Sequence, residues 1–503
     1  MRKNILTYLE ETARRLPEKI AFSTGKEHMS FDQVQRSAAA LGTFLSERGY
    51  SHEPVVIFMD KHPRTVASFF GVIYAGCFYV CLDEKMPKAR MEAILENLKP
   101  RVIICDQKNE RAARELPVEM VFTYDEATEK EPSIQRLEGI RDAQCDTDPI
   151  YVVFTSGSTG VPKGVVANHR SVIDYTEAIS SALEFSEDTV FGNQTPLYFD
   201  APLKEIMPTI QLGATTYFIP KMLFSFPVRL IDYLNEHRIN TVCWVVSALV
   251  QISSLGALET KKPRYLTKIA FGSEVFPRRQ YDLWREAMPE ATFFNLYGPT
   301  EATGMSCYWR AERELSPEEP IPVGRPFDNT GILLLTEEGR RAEAGESGEI
   351  CIFGTCLTMG YYNNPQKTAE VFVQNPLQSS YPQRIYRTGD IGCYNRYGEL
   401  VFLCRRDSQI KHMGHRIELG EIEAIALKQG GIRRVCCVYD TNAKRIVLFY
   451  VGDAEGQALS AHLSALLPRY MLPNLLVPLE NLPLTDNGKI DRRGLRERAA
   501  QLN

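Results

Sequence analysis

Among its 503 residues the chain has twelve cysteines but not one Cys-x-x-Cys pair. That absence removes the usual structural-zinc and dithiol-redox spacings. Most of the cysteines stand singly in apolar runs, as Cys105 does after Val102-Ile103-Ile104, and read as reduced core thiols of a cytoplasmic protein. The pair in His412-Met413-Gly414-His415 lacks a third ligand nearby and reads as loop histidines. A basic excess is missing too: 58 Lys and Arg stand against 63 Asp and Glu, a net charge of -5, which argues against a nucleic-acid partner. The N-terminus lacks the uncharged apolar run of a signal peptide. Ile5, Leu9, Ala13 and Leu16, with Glu10 and Glu11 between them, predict an amphipathic helix instead. One uncharged stretch, Thr65 to Leu82, has the length of a membrane span, but Gly71 and Gly76 interrupt it and Asp83 and Glu84 close it. It predicts a buried helix running into a buried strand, so no membrane partner is expected. There is no repeat of fixed period and no low-complexity tract.

What is present is an ordinary globular composition, 44% apolar and 24% charged, in a chain too long for one core. Strand-like runs such as Val102-Ile103-Ile104 and Tyr151-Val152-Val153-Phe154 alternate with helical patterns such as Arg229 to His237, which leads into Thr241-Val242-Cys243-Trp244. The alternation predicts a layered α/β architecture with parallel strands. Polar, turn-rich segments break the chain near Asp125 to Asp148 and Glu312 to Pro320. Gly345 to Leu403 has the punctuated alternation of a β-rich module. After Asp407 the pattern restarts as a small α+β unit. The expected division is a large N-terminal domain over 1–404 and a small C-terminal domain over 409–503, with the seam at 405–408.

Five segments carry chemistry. Thr155-Ser156-Gly157-Ser158-Thr159-Gly160-Val161-Pro162-Lys163-Gly164 follows a strand-like run. Its small hydroxyl residues and glycines let backbone N–H groups and hydroxyls converge on phosphate oxygens, with a lysine adding charge. It is not a Walker loop, since Gly164 follows Lys163 and the glycine spacing differs. Asn295-Leu296-Tyr297-Gly298-Pro299-Thr300-Glu301 offers an aromatic face for a purine, a hydroxyl for phosphate and a carboxylate suited to Mg2+. Tyr386-Arg387-Thr388-Gly389-Asp390 places an Asp after a turn glycine, able to accept from both ribose hydroxyls. Arg405-Arg406-Asp407-Ser408-Gln409-Ile410-Lys411 runs into Gly414-His415-Arg416-Ile417-Glu418. Asn487-Gly488-Lys489-Ile490-Asp491 presents a lysine near the C-terminus. Each alone could be a surface loop.

In this order the five resemble the motifs of the adenylate-forming superfamily: acyl-CoA synthetases, luciferases and the adenylation domains of nonribosomal peptide synthesis. The resemblance runs from Gly71-Val-Ile-Tyr-Ala-Gly76 to Lys489. Arg416 to Glu423, Leu467 to Pro473, and Asp200 in Tyr198-Phe199-Asp200-Ala201 are most similar to amino-acid adenylation domains. Stand-alone D-alanine–carrier protein ligases share the layout. The resemblance implies that Thr155, Ser156, Gly157, Ser158, Thr159, Gly160 and Lys163 hold the pyrophosphate end of ATP. It implies that Tyr297 lies against adenine with Asn295 nearby, and that Thr300 and Glu301 address the α-phosphate and Mg2+. Asp390 would hold the ribose with Arg405 close by. Asp200 would take the substrate's α-ammonium group, and Asp407 would be the hinge about which the small domain swings. Lys489 would bridge the substrate carboxylate and the α-phosphate. A cation where two anions approach stabilises the transition state more than the separated reactants, and its loss costs roughly a hundredfold or more in rate.

The sequence departs from the family at Cys404, Cys77, Cys81 and Pro202. By matching positions the substrate pocket is expected to be lined by Phe199, Asp200, Ala201, Lys204, Cys243, Ile269, Phe271, Leu296, Gly304 and Met305. Bulky Phe271 and Leu296 favour a short substrate. Lys204 would either pair with an acidic side chain or extend to solvent. Phe271 departs from the D-alanine ligases, which carry a smaller residue there. The expected activity is formation of an aminoacyl-AMP and pyrophosphate from an amino acid and Mg·ATP, then transfer to the phosphopantetheine thiol of a carrier protein acting in trans. Two other readings are a carboxylic acid–CoA ligase and a non-catalytic nucleotide-binding protein that kept the fold.

Overall fold

The computed structural model describes residues 2–156, 162–406, 409–483 and 490–502. The chain divides into two units, one of 1–84, 98–153 and 164–404 and one of 85–97, 154–163 and 405–503. Two short segments of the N-terminal region, 85–97 and 154–163, therefore group with the C-terminal residues, which chain order alone does not suggest.

In the first unit, a nine-stranded sheet carries the parallel strands Ile20–Ser23, Thr215–Phe218, Val190–Asn193, Thr241–Val245, Lys268–Gly272 and Thr292–Tyr297, neighbours in that order. A seven-stranded sheet has Phe78–Cys81, Pro54–Phe58, Val102–Cys105 and Met120–Thr123 in parallel. A five-stranded sheet formed by Thr330–Leu335, Gly348–Gly354, Arg384–Tyr394, Phe372–Gln374 and Leu400–Arg405 is the β-rich module expected from the Gly-punctuated alternation.

The uncharged stretch forms the helix Pro63–Tyr74 and the strand Phe78–Cys81. In that helix every residue except Arg64 is buried. No helix among the described residues is long and apolar enough to cross a membrane. The N-terminal pattern forms the helix Leu6–Arg15, with Leu6, Tyr8, Leu9 and Ala13 buried. The turn-rich span near Asp125 to Asp148 differs from expectation, since it holds the helices Tyr124–Ala127 and Ile134–Ala143. Thr123 and Glu126 form a capping box at the first, a local signal that overrides the polar composition.

Two apolar clusters matter for the site. One holds Leu203, Ile206, Met207, Cys243, Ala270, Phe294, Leu296 and Met305, and the other Trp244, Ile269, Phe271 and Phe293. Because successive strand residues point to opposite faces, the nine-stranded sheet has a core on each side.

The second unit contains the three-stranded sheet of Ile432–Asp440, Arg445–Gly452 and Leu475–Pro478, with the helices Leu419–Ala426, Gly456–Leu466 and Arg492–Ala499. His412 and His415 close a two-residue hairpin between Gln409–His412 and His415–Glu418 rather than lying in a loop. His412 Nδ1 meets the Tyr439 hydroxyl at 3.1 Å, and His415 stacks on Tyr470 at 3.8 Å. Within this unit Arg90 pairs with Glu421, both buried. Removing one partner of such a pair leaves an uncompensated charge. Glu421→Gln should lower unfolding stability by about 3–5 kcal/mol in denaturant titration, while Arg90→Met with Glu421→Leu should restore most of it. A midpoint unchanged by Glu421→Gln would contradict a desolvated pair.

Candidate functional site

The strand Thr292–Tyr297 delivers its motif to a sharp reversal. A Cβ on Gly298 would lie 2.5 Å from Met305 Cα and 2.6 Å from Gly304 O, so only glycine fits. A short 3-10 turn, Thr300–Ala302, follows and ends at Thr303, held at φ 56°. That left-handed conformation is costly for a β-branched residue and is secured by the Thr303 hydroxyl, which donates to Cys356 O at 2.7 Å. Ser306 N then donates to Tyr297 O at 2.7 Å, and the chain returns as the antiparallel strand Cys307–Arg310. Thr300 and Glu301 are thereby fixed at the turn.

Glu301 is fully buried. Its carboxylate accepts from the Tyr361 hydroxyl at 2.7 Å, and its carbonyl accepts from Thr358 N at 3.0 Å and Oγ1 at 2.9 Å. Tyr297, only 3% exposed, donates its hydroxyl to Asp390 Oδ2 at 2.6 Å. Burial and the Asp390 charge hold the phenol well above its ordinary pKa, so it stays a donor. Asp390 is itself buried, and its N–H donates to the Thr388 hydroxyl at 2.9 Å. Asn295 donates to Pro322 O at 2.7 Å from a buried position. One amide N–H is thus engaged by a backbone carbonyl, which fixes the orientation of the side chain.

Phe199, Asp200 and Ala201 are partly exposed and lead into the helix Leu203–Leu212, whose first residues are buried. The Asp200 carboxyl hydrogen-bonds the Thr300 side chain, and its pKa is raised by desolvation, with Glu301 adding repulsion and Lys204 opposing both. The structure therefore brings Asp200, Thr300, Glu301 and Lys204 into one electrostatic cluster. Lys204 is only 3% exposed, which removes the solvent-extended one of its two expected placements. Cys243, Leu296 and Met305 share the first apolar cluster, with Gly304 next to Tyr175. Ile269 and Phe271 do not join them. Both face the second cluster, where Phe271 packs edge-on against Phe276 at 4.9 Å, and Ala270 opposite Cys243 is on the face that the expectation gave to its neighbours. The argument for a short substrate from the bulk of Phe271 falls with that placement.

In the second unit, Ser156 donates to Arg416 O at 2.8 Å and accepts from Glu418 N at 3.2 Å. Its hydroxyl is thus engaged with the hairpin. Thr155 donates to Lys163 O at 3.4 Å, and the Lys163 ammonium pairs with Glu418 at 3.6 Å. Arg405, in the same unit, is partly exposed. Gly157, Ser158, Thr159, Gly160, the hinge Asp407 and Lys489 lie outside the described residues.

Sequence reading missed Tyr361, the donor to Glu301, Glu418, the partner of Lys163, and Glu205, a wholly buried carboxyl. Glu205 had a signal: Lys204-Glu205 are adjacent charges inside the apolar run Leu203 to Met207. Tyr361 had none, because its role arises from the pairing of Gly360–Tyr361 with the strand Lys163–Asn168.

Residues 9–362 match the family of AMP-binding enzymes. Tyrocidine synthase 1 of Brevibacillus parabrevis is 28% identical over 503 residues, covering 98% of this chain and 45% of its own length. The chain thus spans less than half of that relative. Zwittermicin A synthase ZmaJ of Bacillus cereus is 30% identical over 500 residues, 97% of this chain and 93% of its own. Among solved structures, holo-PA1221, an NRPS protein containing adenylation and PCP domains and bound to a vinylsulfonamide inhibitor, superposes with a TM-score of 0.84. It has 25% identity and covers 99% of this chain and 84% of that one.

The Tyr297 to Asp390 bond gives a direct prediction. Tyr297→Phe removes a hydrogen bond to a carboxylate, about 1.5–3 kcal/mol, and should raise the KM for ATP about tenfold or more with folding intact by circular dichroism. An unchanged KM would show that the Tyr297 hydrogen bond does not position Asp390 for the nucleotide.

Proposed function

The chain belongs to the AMP-binding enzyme family, and from that premise we propose that it activates an amino acid as aminoacyl-AMP and passes it to a phosphopantetheine thiol of a carrier protein. The observation that carries this reading is Asp200. A partly desolvated carboxylate, hydrogen-bonded to Thr300, repelled by Glu301 and still costly to ionise despite Lys204, calls for a further cation, and the α-ammonium of an amino acid supplies one beside the reacting carboxylate. A simple fatty acid has no such charge, which disfavours the acid–CoA ligase reading.

In the first half-reaction a carboxylate oxygen of the amino acid forms a bond to the α-phosphorus of ATP, the α–β phosphoanhydride bond breaks, and pyrophosphate leaves. The attacking carboxylate is already ionised at neutral pH, so no general base is required. Catalysis is positioning plus charge stabilisation. Asp200 orients the substrate through its ammonium, Asp390 the nucleotide through its ribose, and Lys489 neutralises the approaching anions. Glu301, a hard oxygen donor buried beside a second carboxylate, fits a divalent cation. Bound Mg2+ would offset charge on the phosphate oxygens. In the second half-reaction the thiol sulfur attacks the acyl carbon, loses its proton, and AMP departs.

Two measurements test this. Exchange of labelled pyrophosphate into ATP across a panel of L- and D-amino acids should depend on one amino acid or a small group of them and fall roughly a hundredfold or more in Lys489→Ala. Exchange with no amino acid, but activity with another carboxylic acid and CoA, would replace the reading. The second measurement is a pH profile. Desolvation raises the Asp200 carboxyl above its ordinary value, so Asp200 loses its charge earlier as pH falls. The KM for the amino acid should therefore rise on the acid side at a higher pH than an exposed Asp would give. A flat KM down to about pH 4 would remove Asp200 from substrate binding.

A further inference from the structure

One turn into the fold from Asp200 lies a second, unanswered charge. Lys204 is 3% exposed, yet it makes no hydrogen bond or ion pair with any described residue. It influences Asp200, Glu205 and Cys243 only at longer electrostatic range. Three further polar atoms of the same neighbourhood are buried without a hydrogen-bond partner: Glu205 Oε1, Tyr175 OH and Tyr151 OH. They belong together, because Tyr175 is within electrostatic reach of Cys243, Asp200, Glu205 and Tyr151. Such atoms are ordinarily satisfied in a folded protein, and an ammonium group among them, on a side chain held almost entirely out of water, is costly without a counter-charge.

The surroundings fix Glu205 in place. Its Oε2 accepts from Asn193 Nδ2 at 3.4 Å, while Lys61 Nζ donates to Asn193 Oδ1 at 2.9 Å and to the carbonyls of Asn193 and Gln194 at 3.2 and 3.1 Å. Its other oxygen is the unpartnered one. Burial raises the carboxyl to about 8, so at neutral pH it is mostly protonated, a donor rather than the counter-ion of Lys204. Gly304, at φ 87°, carries no side chain beside Tyr175, where a Cβ would come 3.6 Å from the hydroxyl.

We propose that Lys204, Glu205, Tyr151 and Tyr175 form a side-chain subsite for a carboxylate, so that the amino acid activated is a dicarboxylic one. The inference rests on the amino-acid reading of Asp200. Once Asp200 is taken by the α-ammonium group, Lys204 is left without a counter-charge, whereas Lys61 is held by Asn193 and the carbonyl of Gln194. A side-chain carboxylate neutralises it and accepts from Glu205 and the two tyrosines. An amide or hydroxyl side chain could accept those hydrogen bonds but would leave the ammonium charge uncompensated. An aliphatic side chain would do neither.

The test is pyrophosphate exchange by the wild-type chain with both enantiomers of aspartate and glutamate, against asparagine, glutamine, alanine and serine. It is repeated in Lys204→Met and Glu205→Gln. The expected result is a dicarboxylic substrate favoured in kcat/KM by roughly a hundredfold or more over its own amide. Lys204→Met should lose about that factor for the acid, chiefly through KM, and narrow or invert the preference for the amide. The wild-type ranking alone is decisive should Lys204→Met fail to fold. Strong exchange with alanine, serine or an amide in preference to both acids would overturn the subsite while leaving the amino-acid reading intact. Exchange with no amino acid would overturn that reading and the subsite with it.

Discussion

Two carboxylates set close together in a partly desolvated site are costly to keep ionised, and the residues around Asp200 and Glu301 are arranged about that constraint. Glu301 raises the cost of ionising Asp200, yet the chain holds both in place. Thr300 hydrogen-bonds Asp200, and the Tyr361 hydroxyl donates to Glu301. A fold concerned only with stability would gain by replacing such groups with apolar ones. On the proposed reading the repulsion has a purpose: an ammonium group at Asp200 and a divalent cation at Glu301 would complete the site.

The architecture serves this arrangement. Parallel strands of the nine-stranded sheet end where the chain turns sharply at Gly298 and Thr303, and the helix that begins after Asp200 contributes Lys204 and Glu205 to the same region. Strand alternation keeps two cores apart, so that Cys243, Ala270 and Leu296 face the helix of Lys204 while Trp244 and Phe271 face away. The energetic strain at Thr303 and the unpartnered polar atoms around Lys204 occur beside the proposed chemistry, where a strained or unsatisfied group has a ligand-dependent role.

Much of this was legible in the residues. The helix Leu6–Arg15, the helix and strand within Thr65 to Leu82, and the β-rich run after Gly345 follow from apolar spacing alone. The motif at Asn295 to Glu301 could alone be a surface loop and announced a site only in order with the other four segments. What was not legible depends on pairing across the sheet. Ile269 and Phe271 were assigned to the pocket by position along the chain, but a side chain's face is set by the strand's parity, and theirs is opposite to Cys243. Tyr361 was invisible because its contact with Glu301 joins segments 60 residues apart. The burial of Lys204 could not be read either, since a lysine on a helix ordinarily extends to water.

The central claim is that Asp200 receives the α-ammonium group, and the most direct measurement compares each active amino acid with its des-amino analogue in wild type and in Asp200→Asn. Wild type should adenylate the amino acid at least roughly a hundredfold better than the analogue lacking the amine, and Asp200→Asn should erase most of that difference by losing the amino acid rather than gaining the analogue. Equal use of both acids by the wild-type chain, unchanged in the variant, would contradict the account.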